Sequence, residues 1–315
     1  MHQAARVIFG RTELRVSPVC YGSWQASPVF WGTQSKEHLN NAMRHAFDRG
    51  INFFDTADAY GDGRAETILG EALHGLPRDN LVLCSKVGHH FYPDGKRHPD
   101  LSGDYLRRAC DATLRRMQTD YLDIYLLHLP TPLLDPSDTT SALDSLKQQG
   151  KIRHYGLSNF TVEQFRMMRS FGDYAVCQPE YNLLDNEAEQ ELLPYCQAEN
   201  IGVMVYSPLA RGLLTGKYAG NETFSDHRAD IPRFQGKSFG ILCEKVGHLR
   251  RIAETNDLTI PQLILAATRM HPAVHCTIVG VKTSEQIEEA AGAMNNVLSV
   301  EDYYTVRAML AGEPT

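Results

Sequence analysis

Asp55, Tyr60, Lys86 and His128 are four side chains that together suit chemistry on a carbonyl group. A phenol has a pKa of about 10, too high for easy proton donation near neutral pH. A nearby ammonium stabilises the phenolate and lowers that value, which gives Lys86 a task beside Tyr60. A buried ammonium needs a counter-ion, and Asp55 supplies one. A neutral imidazole hydrogen-bonds an oxygen or relays a proton, which suits His128. The set fits protonation of an oxyanion formed from a carbonyl. Each residue alone also has a plainer reading. Asp55 could cap a turn, Tyr60 could pack with a satisfied hydroxyl, Lys86 could snorkel outward, and His128 could be a satisfied core histidine. The conjunction carries the weight, because three of the four end successive apolar runs and Tyr60 follows the first of them.

Those runs set the architecture. The stretch INFFDTADAYGDGRAET (51–67) is apolar up to Phe54 and then turns acidic at Asp55 and Asp58. Further short apolar runs lie at 19–22, 81–86, 121–128, 152–158, 175–178, 202–207 and 276–280. With 52–56 they make eight candidate strands, apolar enough to be buried on both faces. Helical patterns fall between them at 36–49, 64–74, 103–117, 137–149, 161–171, 186–199, 241–256 and 284–294. Strand and helix in strict alternation imply parallel pairing through crossover helices. The expected fold is a (β/α)8 TIM barrel spanning 1–315 as one domain. Thr161 and Gln164 form a capping box, Gly50 stands at a left-handed helix end, and VIFGRTELRV predicts a hairpin turning at Gly10–Arg11 that caps one end of the barrel. Residues 208–240 predict a long binding loop. A doubly wound sheet is the rival architecture, but its only dinucleotide-like turn, GDGRAE (61–66), has Glu66 where a third glycine belongs. A carboxylate there would repel a pyrophosphate.

In such a barrel the C-terminal strand ends share one mouth. Asp55, Lys86, His128, Ser158-Asn159, Gln178, Tyr206-Ser207 and Gly280 end strands two to eight. Asp58 has no chemical role in this set and is read as turn-stabilising. The glycines around Asp62 are read as room for the chain to turn.

Composition narrows the function classes. The net charge of −7 and pI near 6.0 argue against nucleic-acid or membrane-surface binding. No apolar run is long enough to span a membrane, and the N-terminus lacks the apolar core of a signal peptide. Seven scattered cysteines with no CxxC pair read as reduced thiols of a cytoplasmic protein. His89, His90 and His98 lie in a stretch of loop composition, which favours a surface loop over a metal site; no metal is expected. A monomer is the default.

On these residues the chain resembles the aldo-keto reductase superfamily over nearly its whole length. GINFFDTADAYGDGRAETILGEAL is similar to the family segment with the catalytic Asp and Tyr, VLCSKVG to that of the Lys, and DIYLLHLPTP to that of the His. QPEYNLL (178–184) and GLLTGKY (212–218) resemble the bacterial and potassium-channel β-subunit branch. The resemblance implies an NADPH-dependent reductase of small-molecule aldehydes and ketones. Tyr60 would be its general acid, assisted by Lys86 and Asp55, with His128 orienting the carbonyl. It implies that Ser158, Asn159 and Gln178 hold the nicotinamide carboxamide and that Tyr206 stacks on its ring. Gly22, Trp24, Asp55, Ser207, Leu209, Gly212 and Gly280 join the cofactor groove. Lys217 and Arg228 fold over the pyrophosphate. Lys282 takes the 2′-phosphate, with Gln286 and Glu289 behind it, and Ala290 stands where relatives often have an adenine-contacting asparagine. Lysine in place of the usual arginine loses the bidentate fork but keeps the charge. The substrate pocket is expected from Trp24, Trp31, the 88–100 loop and residues near Pro130. The two tryptophans suggest aromatic walls, suited to small apolar or sugar-derived aldehydes. Two other readings compete: an NADP(H)-binding redox-sensing regulatory subunit, and a barrel enzyme using Lys86 in a Schiff base. The second gives Tyr60 and the SNF and GVKTSEQ segments no shared task.

Overall fold

A computed structural model describes residues 6–28, 32, 34–91 and 97–311. Its centre is a closed barrel of eight parallel strands. In chain order they are β1 (Val19–Gly22), β2 (Phe53–Asp55), β3 (Val82–Val87), β4 (Leu122–Leu127), β5 (Ile152–Ser158), β6 (Tyr174–Gln178), β7 (Gly202–Val205) and β8 (Cys276–Gly280). Each pairs with its sequence neighbours, and β8 closes onto β1. The eight predicted strands are all present, within a residue or two at their ends.

Alternation along each strand decides what faces inward. Cys20, Phe53, Cys84, Ile124, Leu126, Val176, Met204, Cys276 and Ile278 pack together inside the barrel. A second, larger core joins the outer strand faces to the helices, with Tyr21, Phe54, Leu83, Tyr125, Tyr155 and Val203 among its members. Counting on by two from the inner residues reaches Gly22, Asp55, Lys86, His128, Gln178, Tyr206 and Gly280. Ser158 has the inward parity on β5, because Tyr155 and Leu157 face out. The period-two rule thus delivers one ring of site residues from eight strands.

The other end of the barrel is closed by the predicted hairpin. Val7–Ile8 pairs antiparallel with Arg15–Val16, around a tight turn at Gly10–Thr12. Phe9 is fully buried and meets Phe53 edge-on with ring centres 5.5 Å apart.

Several helices differ from the sequence expectation. The segment 186–199 is helical only over Leu192–Ala198, after a short turn at Glu187–Glu189. The segment 241–256 becomes two helices, Gly236–His248 and Arg250–Thr255. Two further helices, Ile260–Arg269 and Val300–Ala311, lie outside the predicted set. The first opens with a capping box, Thr259 with Gln262, and has Pro261 in its first turn. TIPQ is therefore a legible start signal of the same kind as TVEQ. The 208–240 loop holds short turns at Ala210–Thr215, His227–Asp230 and Pro232–Phe234. Within 88–100, His89–Phe91 pairs antiparallel with Arg97–Pro99. A stretch of loop composition is here a small hairpin above the mouth.

Candidate active site

The loop after β2 brings two site residues together. Gly61, Asp62 and Gly63 are consecutive left-handed residues, with φ of 64°, 56° and 82°. Two glycines there avoid most of the cost of that conformation. The chain turns sharply and enters the helix Arg64–Leu73, leaving Tyr60 facing the barrel axis. Glu66, the residue that breaks the dinucleotide pattern, is fully buried in that helix and pairs with Ser85 Oγ (2.6 Å) and Arg116 Nε (2.5 Å).

Lys86 links the rest. Its Nζ donates to Asp55 Oδ2 at 2.7 Å, to the Thr56 carbonyl at 2.8 Å and to Tyr60 Oη at 3.3 Å. Gln178 Nε2 donates to the other Asp55 oxygen at 2.9 Å. Asp55 and Lys86 are both almost wholly buried. Burial alone would lower the Lys86 pKa, but the charges of Asp55 and Tyr60 reverse this and hold it above its ordinary value. Tyr60 departs from the sequence expectation. Burial raises its pKa, the Lys86 charge pulls it down as predicted, and Asp55 pushes it up again, so the net shift is upward. The phenol is therefore fully protonated near neutral pH. His128 stands edge-on to Tyr60, ring centres 5.8 Å apart. Burial, then the Lys86 and His89 charges, holds its pKa well below 6.5. The imidazole is neutral, and its buried Nδ1 has no hydrogen-bond partner among the described residues.

One cavity of about 740 Å³ collects the mouth. Asp55, Tyr60 and His128 line it, as do Gly22, Trp24, Ser158, Asn159, Gln178, Tyr206, Ser207, Leu209, Gly212, Lys217, Arg228, Gly280, Lys282, Gln286 and Glu289. Every cofactor residue expected from the sequence is on this surface, and Lys86 lies directly beneath it. Tyr206 Oη donates to Asn159 Oδ1 (2.7 Å), Asn159 Nδ2 donates to Ser158 Oγ (3.0 Å), and Ser158 Oγ donates to the Gln178 carbonyl (2.9 Å). These bonds fix an amide, a hydroxyl and a flat ring side by side, a set matched to a carboxamide-bearing aromatic ring. The far end is cationic. Burial and then the Arg228 charge lower both Lys217 and Lys282. Crowded cations of this kind are relieved by a bound anion. Arg228 is held by Asp226 and by Tyr218 Oη (2.6 Å), and the neighbouring His227 ring lies 5.5 Å from Trp24. The long loop thus reaches across to the loop after β1.

Gln25 and Arg211 are among the lining residues that lie beyond the sequence expectation. Gln25 fills the space beside Gly280, where any Cβ would lie 1.7 Å from its amide nitrogen; its buried Oε1 has no partner among the described residues. A side chain at 280 would have to displace the Gln25 amide, a contact no local pattern reveals. His89 and Arg211 also line the cavity. His89 belongs to the 88–100 loop, which the sequence reading placed at the pocket. Pro130 is not among the lining residues, and Trp31 lies outside the described residues. Asp58 differs too. Its backbone carbonyl accepts from Gly63 N, but its buried carboxyl oxygens meet no partner in good geometry, and burial raises its pKa well above 3.8. The backbone, not the predicted side-chain bond, holds this turn.

The chain is similar to known proteins along most of its length. The Aldo/keto reductase family pattern covers residues 18–311. The chain belongs to the aldo/keto reductase family. The NADH-specific methylglyoxal reductase of Escherichia coli is 30% identical over 96% of this chain and 98% of its own. A protein of Schizosaccharomyces pombe named as a putative voltage-gated potassium channel β subunit is 32% identical over 90% of this chain and 86% of its own. Among solved structures, a glycerol dehydrogenase from Gluconobacter oxydans superposes with a TM-score of 0.89 at 27% identity, covering 100% of this chain and 98% of that one. An aldo/keto reductase from Klebsiella pneumoniae, solved with NADP and acetate, gives a TM-score of 0.76 at 29% identity, covering 98% and 96%. This aldo/keto reductase is therefore an NAD(P)H-dependent oxidoreductase on a TIM barrel, with kin in both the bacterial and the channel-subunit branches. All seven of its cysteines are unpaired and buried. Among the described residues no helix is long and apolar enough to cross a membrane, and no three His, Cys, Asp or Glu side chains are grouped to hold a metal.

Proposed function

We propose that this reductase converts small aldehydes and ketones to alcohols with Tyr60 as the general acid, acting as one domain and preferring NADPH. The observation that carries the reading is the Tyr60 hydroxyl 3.3 Å from a lysine that Asp55 holds in place, at the wall of a cavity His128 also lines. The nicotinamide cofactor, when bound, supplies hydride to the carbonyl carbon. Tyr60 donates its proton to the carbonyl oxygen as negative charge builds there. Lys86 stabilises the phenolate left behind, and Asp55 keeps Lys86 charged and in place. The neutral His128 donates a hydrogen bond to the same oxygen and orients it. Asn159 and Gln178 hold the nicotinamide amide, and Tyr206 covers the ring. Lys282, Lys217 and Arg228 form the phosphate end.

Preference for NADPH rests on that cationic end and on the Klebsiella pneumoniae structure solved with NADP. The Escherichia coli relative is named as NADH-specific, so the preference is a property to measure. A regulatory, redox-sensing role has one observation behind it, the 32% identity to the Schizosaccharomyces pombe protein named as a putative channel β subunit. The test follows NADPH absorbance with a panel of aldehydes. Wild type should turn over, and Tyr60→Phe should lose about 10²- to 10⁴-fold in kcat while still binding NADPH. Binding without turnover on a broad panel sinks the reductase reading in favour of the sensor. Full rate in Tyr60→Phe removes Tyr60 as the acid.

A further inference from the structure

The strand that carries Lys86 has a second polar residue, on its other face. Cys84 lies inside the barrel, while Leu83 and Val87 pack toward the helices. By alternation Lys86 points in and Ser85 points out. Ser85 is fully buried in that outer, largely apolar layer and donates to Glu66 Oε1 at 2.6 Å. Arg116 Nε donates to the other Glu66 oxygen. The Arg116 side chain passes over Gly63, where a Cβ would lie 2.6 Å from its Cδ and Nε. Neither Glu66 nor Ser85 is among the residues that line the cavity. Apolar groups of similar volume often serve such a layer as well as a buried ion pair does. What a hydrogen-bonded carboxylate adds is direction.

The bonds close a circuit through the reacting pair. Ala65 N donates to the Tyr60 carbonyl at 3.1 Å, and Glu66 is the next residue. Glu66 holds Ser85, Lys86 is the next residue, and Lys86 Nζ reaches Tyr60 Oη at 3.3 Å. That contact is the longest of the three Lys86 Nζ makes, against 2.7 Å to Asp55 and 2.8 Å to the Thr56 carbonyl. Its length is therefore set by the backbone on either side more than by its own strength. On the Tyr60 side the backbone is a loop with three successive left-handed residues, Gly61 to Gly63. Such a loop needs an anchor. We infer that Glu66 and Ser85 are positioning residues: their bond outside the barrel sets the spacing of Tyr60 and Lys86 inside it. This rests on Tyr60 being the general acid, as proposed above.

The test uses Ser85→Ala, which removes one bond and leaves the Glu66–Arg116 pair. Its companion is Ser85→Thr, which keeps the hydroxyl. Both are assayed with the fastest aldehyde of the panel above and with its alcohol, per molecule able to bind NADPH. In Ser85→Ala, kcat for reduction should fall about tenfold, with KM for NADPH unchanged. Alcohol oxidation supplies the readout that packing alone does not move. There Tyr60 must first give up its proton, and the Lys86 charge is what pulls its pKa down. A looser contact with Lys86 moves the rising limb of the pH profile to higher pH, by up to about one unit. Ser85→Thr should restore both the rate and the limb. An unchanged kcat and limb in Ser85→Ala overturns the inference. So does a fall in kcat with an unmoved limb, or an equal change in Ser85→Thr, since either points to packing. Full rate in Tyr60→Phe, or no turnover by wild type, defeats the reductase reading itself, a different result from turnover that ignores Ser85.

Discussion

Two acid–base clusters lie at opposite ends of the barrel, each around a buried carboxylate, and they are built in opposite ways. At the base, Asp123 accepts from Arg78 (2.7 Å), from Leu83 N (2.9 Å) and from Arg153 (3.1 Å). Arg78 also donates to the Leu81 and Tyr121 carbonyls and to Thr119 Oγ1. The Tyr121 ring lies under both guanidinium groups, at 3.8 and 4.4 Å. The polar groups there satisfy one another. At the mouth, Asp55 and Lys86 are as deeply buried, but the atoms around them are not all used. His128 Nδ1, Gln25 Oε1, Ser23 Oγ and Thr56 Oγ1 have no partner among the described residues. Asn159, Ser207, Ala210 and Arg211 hold left-handed backbone at φ of 65°, 58°, 45° and 56°. Strain and unmet polarity of this kind persist only where the surroundings enforce them, and they gather at functional sites. The base is arranged for the folded chain alone. The mouth is arranged for molecules still to arrive.

The sharpest test of that contrast is Lys86→Met. It removes the partner of a buried carboxylate, which costs about 3–5 kcal/mol, and takes away the charge facing Tyr60. Turnover should fall by at least about 10²-fold with a lower Tm; a stable variant with normal kcat would erase the difference between the two ends. Asp123→Asn is the matching change at the base. It should destabilise by about 2–4 kcal/mol in urea unfolding and leave kcat per folded molecule unchanged. A selective loss of kcat would show that the base shares in the chemistry. Next in size is Lys282→Ala. Loss of one charge-assisted contact, about 1.5–3 kcal/mol, should raise KM for NADPH by about ten- to a hundredfold and leave NADH nearly untouched. Equal effects on both cofactors reject the 2′-phosphate role.

Asp58→Asn should have the smallest effect. The Asp58 carboxyl binds its proton more tightly folded than unfolded, so its contribution to stability is full below pH 3.8 and is lost as pH rises toward the folded value. An amide escapes that loss. The variant should be more stable than wild type near neutral pH, on the order of 1 kcal/mol, and the gap should close as pH falls toward 3.8. A destabilised variant would mean that the carboxyl has a partner in solution.

Much of this molecule is legible in its sequence. Period-two alternation and strand endings are enough to name Asp55, Lys86, His128, Gln178 and Tyr206, because a barrel converts local pattern into a shared ring. Tyr60 is legible from the loop that follows β2. The residues that escape sequence reasoning depend on contacts distant along the chain. Gln25 is the example, since it is placed by its contact with Gly280. The net shift of Tyr60 is out of reach for a different reason. It is the balance of burial against two opposite charges, and residue types supply only the signs. The helix Ile260–Arg269 is the opposite case, since its start signal, TIPQ, stands in plain view.

The hairpin that seats Phe9 against Phe53 has a consequence for traffic. A vessel with a sealed floor has one door. On the function proposed above, a cofactor ring against Asp55 and Gln178 and a carbonyl beside Tyr60 and His128 would share the one cavity at the mouth, since the hairpin shuts the opposite end of the barrel.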